Sequence, residues 1–416
     1  MSVIEVQGLT PLEGEIKIQG SKNAVLPMMA AAILHKGTTV IENVPRIQDV
    51  FCMLGILDSI GCKCRLEGNR LKIDASVVTE TEIPKKFVKS MRSSIIVSGP
   101  LLGRMKRAVT SFPGGCSIGE RPIDLHLTAL DALGARVEED GEELLVTANE
   151  LTGADIYFPF PSVGATENAL MAAVLADGVT VIHGAAREPE IAELCLFLIG
   201  MGDRIHGVGS STLFIEGVLS LHDSIFTVTG DRIVAGTYLC AAMAAEGCVT
   251  MTGIRPSHME AVLRCAEEMG AAIQRYDDRI SVTMTGRPAE YSVVTGPYPQ
   301  FPTDLQSPMM AVMAAAEGTG RMEETVFEGR FGTVKELQKL GADIIIEDNR
   351  AEIRGLYPLT GAVVRARDLR GGAALVVAGL ASRGVTQITD CSHIERGYED
   401  ICRDLKSLGA VIRGME

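Results

Sequence analysis

One thiol, Cys116, lies in a stretch of sequence that is poorly suited to bury it. Pro113 and the nearby Gly114, Gly115 and Gly119 interrupt both helical and strand patterns, so this stretch is predicted to be a loop. Loops on rigid scaffolds often display reactive groups. A thiol of ordinary pKa is mostly protonated at neutral pH and can donate a proton, and its thiolate is a nucleophile. The alternative is that Cys116 is a small buried apolar residue, as most free cysteines are.

Basic residues recur at positions that read as starts of helices, and these residues are Lys22, Arg92, Arg232 and Arg370. A helix N-terminus has a positive dipole end and free backbone N–H groups, so a cation there is unfavourable unless an anion is bound. The recurrence therefore favours an anionic ligand in a cleft shared by the two halves of the chain. The simpler interpretation of the polar residues at these starts is ordinary helix capping, and it applies to Ser21, Asp231, Thr303 and Asp368.

The elements that must position these residues recur six times along the chain. In each repeat an amphipathic segment ends in an apolar residue and a glycine, at spacings of 73, 68, 68, 71 and 68 residues: Gly61, Gly134, Gly202, Gly270, Gly341 and Gly409. A second series is predicted to end an earlier Ala-rich helix: Gly37, Gly103, Gly178, Gly247, Gly318 and Gly384. Each glycine of the first series is placed where a left-handed helix cap is expected. Each repeat is interpreted as strand, buried helix, strand, amphipathic helix, strand and strand.

The length of 416 residues exceeds the size at which one hydrophobic core stops growing, so two domains are expected. Three repeats give about 200 residues, a usual domain size, which divides the chain into two similar α/β halves. The repeat alone places their boundary near residues 217–223. Helices that are rich in alanine on all sides, such as 24–34 and 311–316, are expected to be buried inside each domain.

Composition argues against several classes of protein. A net charge of −14 and an aromatic content of 4% without Trp argue against nucleic acid as a partner. No apolar run approaches the length of a membrane span and no secretory leader is evident, so we expect a soluble cytoplasmic protein with no membrane partner. The ten cysteines form no Cys-x-x-Cys pair and the histidines no His-Glu-x-x-His pattern, so we expect reduced thiols and no metal.

Six motifs together resemble the UDP-N-acetylglucosamine 1-carboxyvinyltransferases, a family of enolpyruvyl transferases, over about residues 5–412. The motifs are residues 20–24 (Gly-Ser-Lys-Asn-Ala), 113–116 (Pro-Gly-Gly-Cys), 121–126 (Arg-Pro-Ile-Asp-Leu-His), 162–168 (Ser-Val-Gly-Ala-Thr-Glu-Asn), 301–304 (Phe-Pro-Thr-Asp) and 396–399 (Arg-Gly-Tyr-Glu). A thiol in a Pro-Gly-Gly-Cys loop separates this family from the enolpyruvyl transferases of the shikimate pathway.

The resemblance implies two inside-out α/β barrel domains with an active site in the cleft between them. One domain would contain residues 22–228 and the Cys116 loop, and the other would combine residues 1–21 with 229–416. The implied reaction transfers the enolpyruvyl group of phosphoenolpyruvate to the 3-hydroxyl of UDP-N-acetylglucosamine and releases phosphate, the first committed step of peptidoglycan precursor synthesis. It proceeds by addition and elimination through a tetrahedral intermediate, and no cofactor is needed.

The resemblance also implies roles for the matching residues. Cys116 would protonate the methylene carbon, and whether it also attacks the substrate to form a covalent adduct stays open. Asp304 would accept the proton of the attacking hydroxyl, and Lys22 and Arg396 would also be catalytic. The residues implied to bind phosphoenolpyruvate are Lys22, Asn23, Arg121, Arg370 and Arg396. Those implied to bind UDP-N-acetylglucosamine are Arg92, Arg121, Pro122, Ile123, Asp124, Leu125, Ser162, Val163, Gly164, Asp304, Val326 and Arg330.

Two alternative functions stay open. A different enolpyruvyl transferase, acting on a carbocyclic hydroxyl, would need neither the thiol nor a uridine-binding segment at 121–125. A non-catalytic regulatory paralogue that binds a sugar nucleotide would lack an acid, a base or an anion-binding residue, and none is missing. Without the resemblance, Arg370 and Arg396 are more readily interpreted as solvated surface charges. Many relatives have Asn where Gly329 precedes Arg330, which affects only the expected geometry of that loop.

Overall fold

The computed structural model describes residues 3–112, 119 and 122–415. The α-helices in these ranges are α1 (Lys22–Ala31), α2 (Gln48–Ser59), α3 (Lys85–Ser90), α4 (Ser98–Met105), α5 (Asp124–Ala132), α6 (Val163–Ala173), α7 (Pro189–Gly200), α8 (Arg232–Ala244), α9 (Glu260–Glu268), α10 (Gln306–Ala315), α11 (Val334–Lys339), α12 (Leu369–Leu380) and α13 (Ile401–Ser407). Short 3₁₀ helices span Ala32–Leu34, Arg92–Val97, Pro256–His258, Thr303–Leu305, Arg330–Thr333 and Cys391–Arg396.

The strands in the same ranges are β1 (Val3–Gln7), β2 (Glu13–Lys17), β3 (Thr38–Glu42), β4 (Lys63–Glu67), β5 (Arg70–Asp74), β6 (Arg107–Ser111), β7 (Arg136–Asp140), β8 (Glu143–Thr147), β9 (Asp155–Tyr157), β10 (Val179–His183), β11 (Arg204–His206), β12 (Thr212–Glu216), β13 (Ser224–Thr227), β14 (Cys248–Thr252), β15 (Ala272–Arg275), β16 (Arg279–Thr283), β17 (Val293–Val294), β18 (Thr319–Glu323), β19 (Asp343–Glu347), β20 (Arg350–Arg354), β21 (Leu359–Thr360), β22 (Val363–Arg365), β23 (Ser382–Arg383), β24 (Val385–Thr389) and β25 (Val411–Met415).

The strands form one small sheet for each predicted repeat, which is antiparallel in the second repeat and mixed in the other five. The strand orders are β13-β3-β5-β4, β6-β8-β7, β9-β10-β12-β11, β2-β14-β16-β15, β17-β18-β20-β19 and β22-β24-β1-β25, with β21-β23 as a separate pair. In the third repeat β9 is parallel to β10, with Ile156 opposite Ile182, and β12 returns antiparallel to β10. In the second repeat a single parallel bridge between Glu82 and Val109 stands where the others have a first strand. These sheets do not join into a closed barrel within the described ranges.

The chain separates into two compact units. We call residues 20–112 and 122–228 the central unit and residues 3–19 and 229–415 the terminal unit. The boundary that the repeat alone placed near 217–223 is wrong, because the central unit continues through β13. That strand lies parallel to β3, with Phe226 opposite Ile41, and supplies the outer strand of the first sheet. In the same way β1 and β2 complete sheets of the terminal unit from the far end of the chain.

The expected burial of the Ala-rich helices is confirmed in both units. Residues 24–34 are buried, as is every residue of α10 together with Ala316. In the terminal unit α8, α10 and α12 contact one another, and a Cβ at Gly236 of α8 would lie 2.3 Å from the Leu305 side chain. The absence of a side chain at Gly236 therefore leaves room for Leu305 to pack against α8.

The first glycine series caps helices as predicted, and the second follows the ends of the Ala-rich helices as predicted except at Gly103. All six glycines of the first series have φ between +89° and +104°. In the second series Gly178, Gly318 and Gly384 have positive φ, whereas Gly103 lies inside α4. That helix ends two residues later, and Lys106 takes the left-handed position with φ of 58°. Because Lys106 ends α4 in the left-handed conformation, Gly103 is not needed as a cap.

The described residues carry few features of other protein classes. None of their helices is long and apolar enough to cross a bilayer. Among these residues no group of three or more His, Cys, Asp or Glu side chains is placed to hold a metal ion. The nine cysteines that the structure describes are free thiols.

Asp203 departs from the repeat pattern. The residue after the capping glycine is small and buried in the other five repeats, where it is Cys62, Ala135, Ala271, Ala342 or Ala410. Asp203 is equally buried, at 5% exposure, and neither carboxylate oxygen meets a hydrogen-bond partner of normal geometry among the described residues. Burial raises the pKa of Asp203 to about 6, an effect that the main-chain N–H of Arg204 partly offsets.

We expect Asp203→Ala to raise the stability of the central unit, and to raise it more at pH 8 than at pH 5. The pKa of Asp203 in the folded protein lies above the ordinary value of 3.8. The loss of folding free energy from ionising this buried carboxyl is therefore absent below pH 3.8 and grows as the pH rises through about 6. Thermal unfolding midpoints at the two pH values measure the effect, with Asp140→Ala at an exposed position of β7 as the control. A midpoint for Asp203→Ala at or below that of the parent at pH 8 would contradict this prediction.

Candidate active site

The predicted site residues are distributed over both units. Cys116 and Arg121 lie outside the described residues. The predicted residues that belong to the central unit are Lys22, Asn23, Arg92, Pro122, Ile123, Asp124, Leu125, Ser162, Val163 and Gly164. Those that belong to the terminal unit are Asp304, Val326, Arg330, Arg370 and Arg396.

Lys22 and Asn23 are the first two residues of α1. The Lys22 ammonium lies 2.6 Å from Oδ2 of Asp49, a carboxylate in the first turn of α2 that is 3% exposed. Ser21 occupies the cap position but its side chain makes no capping hydrogen bond, and its buried Oγ has no partner among the described residues. The Asp49 carboxylate therefore compensates for a cation at this helix start, and capping does not explain Ser21.

The two segments predicted to bind a nucleotide sugar meet at His126. The first leads into α5, where His126 is 7% exposed, and Ser162–Gly164 open α6. A Cβ at Gly164 would lie 3.0 Å from Cε1 of His126, so glycine lets the imidazole lie against the start of α6. Ser162 caps that helix by accepting a hydrogen bond from the N–H of Ala165 at 3.3 Å.

Asn168 fixes this meeting point. Its Oδ1 accepts from the N–H of Gly99 at 2.6 Å, which makes Nδ2 the donor to the Ile95 carbonyl at 3.3 Å. Nδ2 also lies 3.1 Å from Nδ1 of His126, so this ring nitrogen accepts and a neutral imidazole carries its proton on Nε2. Asn168 belongs to a motif that the sequence singled out, yet sequence gave no reason to assign it this role.

Arg92 begins a 3₁₀ helix rather than an α-helix. The helix Arg92–Val97 runs directly into α4, and both pack against α6. The predicted cation at a helix start is thus present in the second repeat, with a tighter first turn than the sequence suggested.

Asp304 in the terminal unit lies between two guanidinium groups. Its Oδ1 accepts a short hydrogen bond from Nη2 of Arg330, and its Oδ2 accepts from Nη2 of Arg370 at 2.9 Å. Both arginine side chains are 5% exposed, against 26% for Asp304. Burial alone would lower the pKa of Arg370, but the Asp304 carboxylate outweighs it and the pKa is raised. Arg370 is therefore a buried charge and not a solvated one.

The helix caps divide into two kinds. Asp368 accepts from the N–H groups of Arg370 and Gly371 at 3.0 and 2.9 Å, and Asp231 caps α8 in the same way. The capping interpretation is confirmed for these two aspartates and is wrong for Ser21 and Thr303. Nη1 of Arg370 is buried and meets no hydrogen-bond partner of normal geometry among the described residues. A buried donor of this kind suits an anionic ligand.

Arg232 satisfies its charge differently. Its guanidinium lies over the ring of Tyr298, 5.6 Å from the centroid, beside a small surface pocket that Pro302 also lines. A cation over an aromatic face is stabilised by the ring quadrupole. The recurrence of basic helix starts therefore has more than one physical cause.

Glu324 is a buried acid that the sequence did not single out. It lies one residue beyond β18 and is 3% exposed. Its carboxylate accepts from the main-chain N–H groups of Val326 and Phe327 and from the hydroxyl of Thr303. The neighbouring Glu323 forms an exposed ion pair with Arg350. Two successive glutamates with opposite environments look alike in sequence, so no local signal could have identified Glu324.

Gln19 holds the loop that follows Arg396. Arg396 is half-buried at the end of the 3₁₀ helix Cys391–Arg396. The Gln19 side chain donates to the Gly397 carbonyl at 3.1 Å and accepts from the N–H of Glu399 at 2.8 Å. Its own carbonyl accepts from the N–H of Asp231 at 2.8 Å. One residue from the N-terminal segment thus ties the Arg396 loop to the start of α8.

Together these residues supply paired cations at helix starts and a carboxylate whose orientation is fixed by arginines. Cations and free N–H groups suit phosphate and carboxylate ligands, and a fixed carboxylate suits a hydroxyl that must lose a proton. These features fit an enzyme that acts on an anionic substrate.

Comparison with known proteins identifies the family within that class. The family model described as EPSP synthase (3-phosphoshikimate 1-carboxyvinyltransferase) matches residues 6–405. A UDP-N-acetylglucosamine 1-carboxyvinyltransferase 2 from Caldanaerobacter subterraneus subsp. tengcongensis is 47% identical over 413 residues, which cover 99% of each chain. A UDP-N-acetylglucosamine 1-carboxyvinyltransferase from Finegoldia magna is 44% identical over 420 residues, which cover 100% of this chain and 99% of that protein.

A solved structure agrees with these sequence matches. The enolpyruvyl transferase NikO from Streptomyces tendae has a TM-score of 0.87 and 26% identity, over 99% of this chain and 98% of that one. The chain therefore belongs to the enolpyruvyl transferase family. The resemblance inferred from the six motifs is confirmed.

We expect Asp304→Ala to lower the free energy of unfolding by roughly 3 kcal/mol, because it leaves two buried guanidinium groups without their carboxylate. Asp343→Ala is a matched control, since the carboxylate of Asp343 lies 3.7 Å from Arg354 in an exposed ion pair. Removing that pair is expected to cost less than about 1 kcal/mol. Chemical denaturation followed by circular dichroism measures both variants. Equal losses in the two variants would contradict the prediction.

Proposed function

We propose that the protein transfers the enolpyruvyl group of phosphoenolpyruvate to the 3-hydroxyl of UDP-N-acetylglucosamine and releases phosphate. The observation that carries this proposal is the 44–47% identity, over nearly the whole chain, to proteins named UDP-N-acetylglucosamine 1-carboxyvinyltransferase. The hydroxyl oxygen adds to the substituted carbon of the double bond while the methylene carbon gains a proton. The bond between this carbon and the phosphate oxygen then breaks, and phosphate leaves. The methyl carbon loses a proton, which forms the double bond again.

Phosphoenolpyruvate carries two anionic groups, and we assign its binding to Lys22, Asn23, Arg121, Arg370 and Arg396. The Lys22 ammonium at the start of α1 and the buried Nη1 of Arg370 support this assignment. Fixed cations in a site that excludes water stabilise charge that develops in the transition state by several kcal/mol. Lys22 and Arg396 are assigned a catalytic role on this ground.

Asp304 is proposed as the acceptor of the hydroxyl proton. Hydrogen bonds from Arg330 and Arg370 fix both of its oxygens, and the side chain keeps 26% exposure. A carboxylate that is oriented before substrate arrives needs little reorganisation during the reaction. Cys116 is proposed as the acid on the resemblance alone, and a covalent adduct at its sulfur stays a second role.

The nucleotide sugar is assigned to the segments on either side of His126. These are residues 121–125 and Ser162–Gly164, with Arg92, Asp304, Arg330 and the Val326 main chain. The support is the contact between α5 and α6, which brings the two segments together within the central unit.

We also propose that each unit is the inside-out α/β barrel that the resemblance implies, with domains of residues 22–228 and of 1–21 with 229–416. Three buried helices in contact with one another, surrounded by small sheets, support this architecture in the terminal unit. The observed division, after Gln19 and after Val228, lies within two residues of these limits.

We predict phosphate release from phosphoenolpyruvate only when UDP-N-acetylglucosamine is present. The family model carries the description 3-phosphoshikimate 1-carboxyvinyltransferase, so shikimate 3-phosphate is the appropriate competing acceptor. A colorimetric phosphate assay with each acceptor, and with neither, separates the two activities. Asp343→Asn, at an exposed position, should match the parent rate. Release with shikimate 3-phosphate in place of the sugar nucleotide would refute the proposal.

We predict that the epoxide antibiotic fosfomycin alkylates Cys116, as the resemblance implies. The thiolate opens the epoxide by attack at carbon, and the resulting alkoxide takes up a proton, so the protein gains the full mass of the antibiotic. Intact-mass spectrometry should show one adduct, absent from Cys116→Ala and kept in Cys248→Ala, whose thiol is exposed. An adduct that persists in Cys116→Ala would count against this assignment.

A further inference from the structure

Glu324 occupies a position from which one carboxylate reaches two parts of the terminal unit. Its main chain is fixed on both sides, since its N–H donates to the Asn349 carbonyl at 2.9 Å and its carbonyl accepts from Asn349 Nδ2 at 3.2 Å. The next residue, Thr325, is held by two hydrogen bonds to Thr295. The carboxylate therefore starts from a rigid backbone and has little freedom to reorient.

One oxygen of this carboxylate organises the main chain of the following loop. Oε1 accepts from the N–H of Val326 at 2.8 Å and from the N–H of Phe327 at 3.0 Å. Hydrogen bonds to an ionised acceptor are roughly twice as strong as those between neutral groups. The Val326 peptide, which we assign to nucleotide-sugar binding, is thus oriented by Glu324.

The other oxygen acts on Asp304 through two intermediate groups. The Thr303 hydroxyl donates to Oε2 of Glu324 at 2.9 Å. Because this hydroxyl has a single proton, its lone pairs remain for Nε of Arg330, which lies 3.2 Å away. Nη2 of the same guanidinium donates to Asp304. The Glu324 carboxylate therefore determines which group donates and which accepts in the series of hydrogen bonds that links Glu324 to Asp304.

Glu324 also adds negative charge near two buried cations. Arg330 and Arg370 are both 5% exposed, and Asp304 is the carboxylate that both contact. Two buried cations beside one anion leave an excess positive charge, which is costly in a medium of low dielectric constant. The Glu324 carboxylate offsets part of it on the Arg330 side, through the hydroxyl of Thr303, as Asp231 does on the Arg370 side.

We infer that Glu324 is a positioning residue for the proposed reaction: through Oε2 it orients Arg330 and Asp304, and through Oε1 it orients the Val326 main chain. This inference rests on the proposed function. One buried carboxylate thereby couples the geometry of the proton acceptor to the geometry that receives the nucleotide sugar.

Thr303→Val tests the hydrogen bonds that lead from Oε2 of Glu324 to Asp304, because valine keeps the shape of threonine and removes the hydroxyl. We expect kcat for phosphate release to fall about tenfold, the usual effect of losing a hydrogen bond to a charged group. KM for UDP-N-acetylglucosamine should stay within about twofold, since the Val326 and Phe327 N–H groups remain bound to Glu324. Thr303→Ser restores the hydroxyl and should restore most of kcat.

Glu324→Ala removes the hydrogen bonds of both carboxylate oxygens and should lower kcat and raise KM for UDP-N-acetylglucosamine, each by about tenfold or more. Glu323→Gln is the matched control: it removes one charge from the adjacent residue, whose partner Arg350 is exposed, and should change neither constant. Circular dichroism and thermal unfolding establish that each variant is folded at the assay temperature. If Glu324→Ala does not fold, the Thr303 pair decides the question.

The outcomes separate this inference from the proposed function. A folded Thr303→Val with the parent kcat, or a folded Glu324→Ala that behaves like Glu323→Gln, overturns the inference while the parent enzyme still turns over. A loss of kcat that Thr303→Ser does not restore also overturns it. A parent protein that releases no phosphate with both substrates overturns the proposed function and the inference with it.

Discussion

Two guanidinium groups buried beside one carboxylate impose the main constraint on the terminal unit. Arg330 and Arg370 come from different elements, and each reaches Asp304 although its side chain is only 5% exposed. Arg370 lies in the first turn of α12 and Asp304 just before α10, so the starts of these two helices have to lie together. The Asp231 carboxylate, which caps α8, adds to the field at Arg370. Small residues along the three helices allow this arrangement, since larger ones would hold the backbones apart.

The central unit also balances a cation at a helix start with a buried carboxylate, but with fewer charged groups. The Lys22 cation at the start of α1 faces the buried Asp49 at the start of α2. At Ser21 and Thr303, which lie beside residues assigned to chemistry, no side chain caps the helix start. The aspartates that cap α8 and α12 each occupy two N–H groups, and Arg370 in the first turn of α12 is also assigned to substrate binding. Withholding a cap leaves backbone donors available, which is what an anionic ligand needs.

The sequence predicts features that depend on local physics and misses those that depend on distant pairing. Capping glycines and Ala-rich buried helices leave periodic marks, so the repeat and its caps could be inferred. The strand β13 carries no mark of its partner, and it belongs with β3 only because the first sheet lacks an outer strand. Gln19 and Glu324 act on groups far away in the chain or hidden from solvent, and polar residues of these types are usually exposed. Family resemblance supplied the residues proposed to bind substrate, whereas the residues that position them required the structure.

The pairing of Asp304 with two arginines has a consequence for the order of events in the proposed reaction. Guanidinium groups stabilise the ionised carboxylate, so Asp304 has little tendency to take a proton from a neutral hydroxyl. That hydroxyl becomes acidic only as its oxygen bonds to carbon and gains positive charge. Protonation of the methylene carbon makes the neighbouring carbon electrophilic, so we expect it to precede proton transfer to Asp304. In this order the group that protonates the methylene carbon controls when the addition begins. The arginines make Asp304 a weaker base, and they also hold its carboxylate in the orientation in which it accepts the proton.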